Sequence, residues 1–403
     1  IMAKNSRDWV VFDQAAAGLG LITVPLYTDD RPDNVSYIIQ QTEAKLLVVD
    51  GRKQWRRLEG ASDGLPSVQR IVSLTSIEED DKPRDPRLES LNDWLFGLNG
   101  ELITREEGGD ELATIVYTSG TTGRPKGVML SHTNILFNAD ASLTCASVVE
   151  DDVLLSFLPL SHMLERTAGY IMPMMVGARV AYARSVPQLG EDLVTIKPTI
   201  LISVPRIYER VYGKIMSGLE KKSPIARKLF EMAVSVGWRR FEHEQGHAGW
   251  HPKLLLWPIL NKLVASKVLE KLGGRMRLAV CGGAAISPEV SKLFVGLGLR
   301  VLQGYGMTEA SPVVSVNRPW DNVPASIGTV LPGVEVRLGE NQELMTRSPS
   351  VMLGYWKNEE ATAATIVEDG WLRTGDKASI DDQGHIYITG RIKEIIVLSN
   401  GEK

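Results

Sequence analysis

The chain has 403 residues, long enough for two or three structural units, and its 43% hydrophobic and 23% charged residues are ordinary for a globular protein. Its formal net charge of −4 argues against nucleic acid as a partner, because nucleic-acid-binding domains usually carry a basic surface. No apolar run approaches the roughly 20 residues that a membrane-spanning helix needs. Cys145 and Cys281 lie in apolar segments. We therefore expect buried, reduced thiols and a cytoplasmic protein.

Residues 1–100 alternate helical and strand-like stretches, such as "DWVVFDQAAAGLGLITVPLY" and "DNVSYIIQQTEAKLLVVD". This alternation is typical of α/β units. A polar stretch over 75–110 predicts a surface loop. Strand candidates then follow in the order "ATIVYT", "VLLSFLPL", "ARVAYA", "TILISV", "RLAVCGG" and "RVLQGYG", several with helical segments between them. The sequence thus predicts a large, partly parallel sheet system.

From about residue 325 the strands become short and turns frequent, which favours a small, distorted β-barrel. We therefore divide the chain into two α/β sheet subdomains over 1–324, a barrel-like subdomain over 325–389 and a short final segment over 390–403. The first and last residues both read as the middle of an element, so we expect a piece cut at both ends.

The loop "YTSGTTGRPKG", residues 117–127, follows the apolar run "LATIV". Glycines let backbone approach a ligand closely, and N–H and hydroxyl groups donate to phosphate oxygens, to which Lys126 adds a positive charge. Pro125 before the lysine and Gly127 after it exclude a Walker A loop. The following "GVMLSH" reads as another strand, so the loop joins two strands. For the loop alone, a flexible hairpin connection remains the alternative.

The stretch "QGYGMTEAS", residues 303–311, ends another apolar strand. Gly304 and Gly306 would let a flat base lie on the backbone, Tyr305 can stack, and Glu309 can hold Mg²⁺ against phosphates. A Rossmann fingerprint is excluded because Glu309 stands where its third glycine belongs. The alternative is a helix N-terminus capped by Thr308.

A third pair of stretches is "GWLRTGD", residues 370–376, and "GRIKE", residues 390–394. Asp376 on a tight turn is a natural acceptor for ribose hydroxyls, and Arg391 suits ribose or phosphate. Each stretch alone is equally an ordinary hairpin turn with a surface charge.

Together, and in this order, these stretches resemble the adenylate-forming superfamily of acyl-CoA synthetases, adenylation domains and luciferases. The segments "KPTILISVPRIYERVY", "LPLSHMLER" and "CGGAAIS" are most similar to those of long-chain fatty acyl-CoA synthetases. The resemblance covers essentially the whole chain. It implies the large N-terminal domain of that superfamily, an α/β fold with two helix-flanked mixed β-sheets and a smaller distorted β-barrel, without the C-terminal α+β subdomain.

The resemblance implies a two-step reaction with ATP, Mg²⁺ and CoA. A medium- to long-chain fatty acid attacks the α-phosphate to give acyl-AMP and pyrophosphate, and CoA then displaces AMP. Two alternatives within the enzyme class are a fatty acyl-AMP ligase and an aryl-CoA ligase. A non-catalytic acyl-adenylate-binding module is the alternative from another class.

Residue roles follow from the resemblance. It implies that the β- and γ-phosphates are gripped by Thr118, Ser119, Gly120, Thr121, Thr122, Gly123 and Lys126. It implies an adenine slot and acyl-channel mouth formed by Gly282, Gly283, Ala284, Gly304, Tyr305 and Gly306, beside which Met307 belongs to the same nucleotide-binding set.

Five single residues complete the implied site. Thr308 would meet the α-phosphate, Glu309 the Mg²⁺ and Asp376 the ribose, with Arg391 reaching ribose or phosphate. Lys393 would be the hinge of the C-terminal subdomain. The family's adenylation lysine lies in that subdomain, so we expect the chain as given to adenylate poorly.

His162, in "LPLSHMLER", matches a family position beside the acyl carboxylate; a core histidine satisfied by backbone is the alternative. No Asp lies in this stretch, which disfavours an amino-acid-activating role, although Glu165 leaves that role open.

Residues 220–272 carry two further patterns. His243, His247 and His251 are spaced four apart, but Gly and Pro interrupt any helix that would align them, so we expect no metal site. Trp238, Trp250 and Trp257 among basic residues are typical of an interfacial helix, which would give a peripheral membrane contact through 220–262. The alternative is a helical insertion that packs these aromatics on its own core.

Overall fold

The computed structural model describes residues 1–59, 65–77, 85–101, 103–105, 108–118 and 123–392. Its strands are β1 (Leu46–Val49), β2 (Arg70–Ser73), β3 (Leu88–Ser90), β4 (Leu112–Thr118), β5 (Lys126–Ser131), β6 (Val153–Ser156), β7 (Arg179–Tyr182), β8 (Ile200–Ser203), β9 (Leu278–Cys281), β10 (Val301–Gly306), β11 (Val313–Val316), β12 (Thr329–Val330), β13 (Glu335–Leu338), β14 (Glu343–Arg347), β15 (Gly354–Tyr355), β16 (Ile366–Val367), β17 (Trp371–Ile380) and β18 (Ile386–Arg391).

The α-helices are α1 (Arg7–Gly18), α2 (Pro32–Thr42), α3 (Arg52–Glu59), α4 (Leu91–Leu95), α5 (His132–Ala146), α6 (Met172–Val176), α7 (Leu189–Ile196), α8 (Pro205–Glu220), α9 (Pro224–Glu244), α10 (Trp257–Leu260), α11 (Ser266–Leu269), α12 (Pro288–Gly296) and α13 (Glu359–Thr365). Tighter 3-10 turns lie at Pro252–Leu256, Glu270–Leu272, Thr308–Ala310, Glu340–Gln342 and Glu368–Gly370, and wider π-helical turns at Glu165–Ile171 and Asn261–Ala265.

A seven-stranded mixed sheet, in the order β12-β11-β10-β9-β8-β6-β7, is the centre of the fold. Strands β6 to β10 run parallel, and β11 is antiparallel to both of its neighbours. Successive residues of β8 enter different cores, since Ile200 and Ile202 pack on one face of the sheet and Leu201 on the other. Burial on both faces explains why these strands are continuous apolar runs.

Two three-stranded sheets stand beside it: parallel β1-β2-β3 and antiparallel β15-β5-β4. Isolated bridges from the first residues join them, pairing Met2 with Val49 and Thr23 with Thr114. The α/β class with mixed sheets is therefore confirmed. Both cysteines are buried, as predicted, and burial raises the pKa of Cys281 to about 12.

The small β-rich unit differs from a barrel. Its strands β13-β14-β17-β16, with β18 pairing farther along the same edge of β17 as β16, form an open antiparallel sheet among the described residues. Two of the short strands after residue 325 belong elsewhere, because β12 pairs with β11 and β15 pairs with β5. The short strands after residue 325 thus belong to three different sheets. A sequence pattern of strands and turns does not show which strands pair.

An ion pair buried between layers ties α1 to the segment before α6. Arg166 Nη2 lies 2.5 Å from Asp13 Oδ1, and the same guanidinium donates to the Thr114 and Thr23 hydroxyls at 2.8 and 3.0 Å. Tyr170 donates to the other Asp13 oxygen at 3.2 Å. A buried charge needs such partners, so this network fixes the segment against β4.

The neighbouring carboxylate, Glu165, starts the π-helical turn and is buried without a hydrogen bond of good geometry within the described part of the chain. A Cβ at Gly169 would overlap its carboxyl group, so any other residue there would force the Glu165 side chain to shift. Burial raises the pKa of Glu165 to about 8, and the nearby Ser156 hydroxyl only partly opposes this. The side chain is therefore mostly protonated at neutral pH.

Glu165 should make the protein's stability fall as pH rises. Because its folded-state pKa of about 8 lies above the ordinary 4.5, its stabilising contribution is complete below pH ~4.5 and is lost as pH rises through about 8. Glu165→Gln removes this loss, so the difference in unfolding free energy between variant and wild type should grow by up to about 5 kcal/mol across that range. Urea unfolding at acidic, neutral and alkaline pH measures it. The exposed Glu101→Gln is the control, and equal pH slopes for wild type and Glu165→Gln would contradict the assignment.

Candidate functional site

A cavity of about 430 Å³ lies along one face of the seven-stranded sheet. It is lined by Leu278 and Val280 on β9, by Gly282 directly after that strand, and by Ile200 and Ile202 on β8. Residues two apart on a strand face the same side, so the cavity follows the strands for roughly 13 Å. Its apolar wall is completed by Val116, Ala146, Val148, Leu154, Leu164, Ala168, Met172, Val313 and Val316.

Glycines form the mouth of this cavity where β9 and β10 end. Gly282, Gly283, Gly304 and Gly306 all line it, together with Tyr305, Met307 and Thr308. A Cβ at Gly306 would overlap the Pro312 carbonyl, so the close approach of β11 by itself requires that glycine. Ala284 is exposed and is not part of the lining.

Asp376 lies beside this mouth with two partners. The Tyr305 hydroxyl donates to its Oδ2 at 2.6 Å, and Arg391 Nε lies 2.9 Å from its Oδ1, as expected for residues paired across β17 and β18. Burial, and then the Asp376 charge, raise the pKa of Tyr305, so its hydroxyl stays a donor. A carboxylate accepts up to about four hydrogen bonds, which leaves capacity for a diol.

Glu309, Tyr355 and Lys126 form a second polar cluster. The Tyr355 hydroxyl donates to Glu309 Oε1 at 2.7 Å, and Lys126 Nζ lies 5.0 Å from the centre of the same ring. Thr308 opens the 3-10 turn that carries Glu309, and this turn is only three residues long, with Met307 at its cap position. The alternative of a helix capped by Thr308 is therefore wrong.

The glycine- and threonine-rich loop joins two antiparallel strands, as predicted. Thr118 pairs with Lys126 at its base, and Gly123 has φ +117°, a conformation that favours glycine. Ser119, Gly120, Thr121 and Thr122 lie outside the described residues, and so does Lys393.

His162 lines the cavity on the side of the π-helical turn. Its Nδ1 accepts the backbone N–H of Leu164 at 3.2 Å. Partial desolvation by the surrounding protein lowers its pKa, although the residue stays exposed to solvent. Both observations favour the neutral ring with a proton on Nε2. The alternative of a histidine satisfied by backbone thus holds for one ring nitrogen, while the ring itself faces the cavity.

Tyr355 and Trp356 were not identified from the sequence. Trp356 donates its backbone N–H to the Gly127 carbonyl at 2.7 Å, and β15 adds to β5, the strand that leaves the phosphate-loop candidate. The segment "LGYW" carries aromatic residues after a glycine, a weak signal of a short strand, but nothing in it points to a partner more than two hundred residues away.

The described residues contain no cluster of three or more His, Cys, Asp or Glu side chains placed to hold a metal ion. His243 instead lies 3.2 Å from the Ala248 carbonyl, and His251 accepts the backbone N–H of Lys253. A single carboxylate such as Glu309 does not form a complete Mg²⁺ site. It suits the arrangement usual in nucleotide-binding sites, in which one or two carboxylates bind Mg²⁺ together with substrate phosphates and water.

The chain is similar to known proteins over most of its length. The AMP-binding enzyme family matches residues 1–356. Long chain acyl-CoA synthetase 7, peroxisomal, of Arabidopsis thaliana is 33% identical over 99% of this chain and 58% of its own length. Long-chain-fatty-acid–CoA ligase FadD15 of Mycobacterium bovis is 30% identical over 100% of this chain and 66% of its own length. The chain thus spans less than two thirds of either relative.

The fold is also found among solved structures. The anthranilate CoA ligase AuaEII in complex with anthranoyl-AMP superimposes with a TM-score of 0.75 at 22% identity, covering 99% of this chain and 68% of that one. With the family match extending over most of its 403 residues, the chain belongs to the AMP-binding enzyme family.

Proposed function

We propose that the protein uses ATP to activate a fatty acid to acyl-AMP. In the second half of the proposed reaction, the acyl group is transferred to CoA. The observation that carries the proposal is the cavity itself, which is lined by Tyr305, Thr308 and Arg391 near its glycine mouth and by aliphatic side chains elsewhere. Asp376 pairs with Tyr305 and Arg391 beside this mouth, and Glu309 directly follows Thr308. One ligand with a charged nucleotide end and an apolar tail fits both halves. The two relatives named as long-chain ligases agree with this substrate class.

The first half-reaction is an in-line displacement at phosphorus, in which positioning and charge neutralisation dominate. We assign binding of the β- and γ-phosphates to Lys126 and to the loop residues Thr118, Ser119, Gly120, Thr121, Thr122 and Gly123. Thr308 meets the α-phosphate. Glu309 would hold Mg²⁺, which when bound would supply positive charge against the phosphates. Tyr355 acts as a positioning residue, because its hydroxyl orients the Glu309 carboxylate and its ring faces Lys126.

The nucleoside lies at the glycine mouth. Asp376 accepts the ribose hydroxyls, with Tyr305 and Arg391 holding the carboxylate in place. His162, neutral and with Nε2–H available, donates toward the acyl carboxylate. Lys393 serves as the hinge between the two half-reactions. A fatty acyl-AMP ligase, an aryl-CoA ligase or a non-catalytic acyl-adenylate-binding module are the competing functions.

Peripheral contact with an anionic membrane is a second proposal, carried by the stretch 250–269. No helix within the described ranges is both long and apolar enough to cross a bilayer. The stretch nevertheless exposes Trp250 at 59%, Leu255 at 70% and Ile259 at 60%, and it contains three lysines and no Asp or Glu. An apolar face flanked by cations suits the surface of an anionic bilayer.

The rest of this segment supports the competing interpretation. Trp257 is buried and Trp238 packs against the same core as α9 and α12. Two of the three tryptophans therefore stabilise the insertion itself, and the proposed contact depends on Trp250 and the aliphatic side chains.

Alkyl-AMP binding tests the substrate class. With alkyl chains of about eight to sixteen carbons, affinity should rise about fourfold per methylene, since each buried CH₂ contributes about 0.8 kcal/mol. Isothermal titration calorimetry measures it, with AMP as control. If alkyl-AMP binds no better than AMP, the acyl cavity is wrongly assigned and the smaller-acid functions are favoured.

Glu309→Gln should weaken ATP binding in the presence of Mg²⁺ by about tenfold or more, because it removes the carboxylate charge, and should leave Mg²⁺-free AMP binding near wild type. Tyr355→Phe should produce a smaller loss of the same kind, about three- to tenfold, since one hydrogen bond to a charged group is removed. Calorimetry measures, for each variant, the affinity for ATP in the presence of Mg²⁺ and the affinity for AMP in its absence. Tyr387→Phe, which removes a comparable hydroxyl-to-Asp381 bond at 3.1 Å outside the cavity lining, is the matched control. Equal losses with and without Mg²⁺ would argue against the assigned role of Glu309.

Vesicle sedimentation tests the membrane contact. At low ionic strength the protein should pellet with vesicles of equal parts phosphatidylcholine and phosphatidylglycerol, and less with phosphatidylcholine alone. Leu255→Ser combined with Ile259→Ser should reduce binding at least about tenfold. Leu98→Ser, which changes an exposed leucine elsewhere, should not. A supernatant that retains the protein, or equal pelleting of the double variant, rules this surface out.

A further inference from the structure

The far end of the cavity is marked by one row of side chains. Leu154 pairs in register with Ile200, and Ile200 with Leu278, so these three residues lie side by side across β6, β8 and β9. All three line the cavity. They are at the beginnings of their strands, whereas the glycine mouth lies at the strand ends. The row is therefore the part of the lining farthest along the sheet from the nucleotide end.

A polar cluster lies directly before this row. Asp152, Thr199 and Arg277 precede Leu154, Ile200 and Leu278 by one or two residues. The Thr199 hydroxyl donates to Asp152 Oδ1 at 2.6 Å, and Arg277 Nε donates to the same oxygen at 2.8 Å. The Asp152 side chain is buried, while Arg277 reaches the surface. We name these three residues the floor latch.

The floor latch also holds a piece of the cavity wall. Arg277 Nη2 donates to the Ser147 carbonyl at 2.8 Å, and Asp152 Oδ2 accepts the backbone N–H of Val149 at 2.9 Å. Ala146 directly precedes Ser147, and Val148 lies between Ser147 and Val149. Both Ala146 and Val148 line the cavity. The turn that follows α5 is thus fastened across the end of the cavity by two contacts to a single ion pair.

We propose that the floor latch closes the acyl cavity and sets the longest acyl chain that the protein accepts, an inference that rests on the proposed function. A chain that reaches the row of Leu154, Ile200 and Leu278 gains apolar contact with each methylene. The three latch residues do not themselves line the cavity; they hold the turn whose Ala146 and Val148 do. A longer chain would have to displace this turn and so pull a buried carboxylate and its arginine from their partners, at a large electrostatic cost. The forked guanidinium of Arg277 donates to Asp152 and to the Ser147 carbonyl at once. It therefore fixes the position of the turn that closes the cavity.

Two substitutions should move the limit in opposite directions. Arg277→Met releases the turn after α5, so the chain length at which affinity stops rising should increase by about two or more carbons. Val148→Phe fills the end of the cavity, so that length should decrease by about two or more carbons. Arg277→Lys keeps the charge without the fork and should resemble Arg277→Met rather than wild type.

The experiment is calorimetry of wild type and variants with alkyl-AMP esters of about eight to twenty-two carbons, each affinity divided by that of the same variant for AMP. This ratio separates the limit from any general loss of stability or nucleotide binding. Arg87→Met is the matched control, because Arg87 also pairs with a carboxylate, Asp85, and holds two backbone carbonyls, but beside the sheet β1-β2-β3. Its limit should equal that of wild type.

A limit that is the same in wild type, Arg277→Met and Val148→Phe overturns the floor latch while leaving the proposed function intact. A wild-type affinity that does not depend on chain length overturns both. A shift in Val148→Phe alone places the end of the cavity correctly but rejects the ion pair as the group that closes it.

Discussion

The buried pairing of Arg166 with Asp13 is the constraint on which the candidate site depends. A guanidinium inside a protein must keep its carboxylate and hydroxyl partners, so Arg166 holds its segment in one orientation against α1 and β4. That segment begins the π-helical turn, and within it Ala168 and, just before it, His162 face the cavity. The wall beside the proposed acyl carboxylate is therefore positioned by an interaction that touches no ligand.

The same turn carries a buried carboxyl group that is protonated rather than paired. Glu165 begins the turn, burial raises its pKa, and the nearby Ser156 hydroxyl only partly opposes this. Two neighbouring residues thus solve the problem of burial in different ways. Arg166 is paired with Asp13, whereas Glu165 takes up a proton.

The features that the sequence predicts correctly are those set by a few neighbouring residues. The strand–loop–strand around Lys126, the glycine-rich strand ends and the α/β class all follow from periodicity and turn chemistry within a few residues. The open sheet in place of a barrel could not be predicted, because the pairing of β12 and β15 with distant strands is decided by tertiary packing. Gly306 shows a related limit: its pattern predicted ligand contact, but the Pro312 carbonyl already excludes a side chain there. The roles assigned to individual residues, including those in the undescribed loop, stay predictions.

Strand β15 has a consequence for the order in which the protein assembles. Its two residues complete the sheet that carries Lys126 and bring Tyr355 to Glu309, so three parts of the chain near residues 126, 309 and 355 must meet before the cluster of Glu309, Tyr355 and Lys126 exists. Contacts of such long sequence separation close late, because the entropy of a large loop has to be lost first. During synthesis on the ribosome, therefore, the apolar sheet can form before the proposed phosphate-binding cluster does, and this cluster is complete only after the segment near residue 355 has been made.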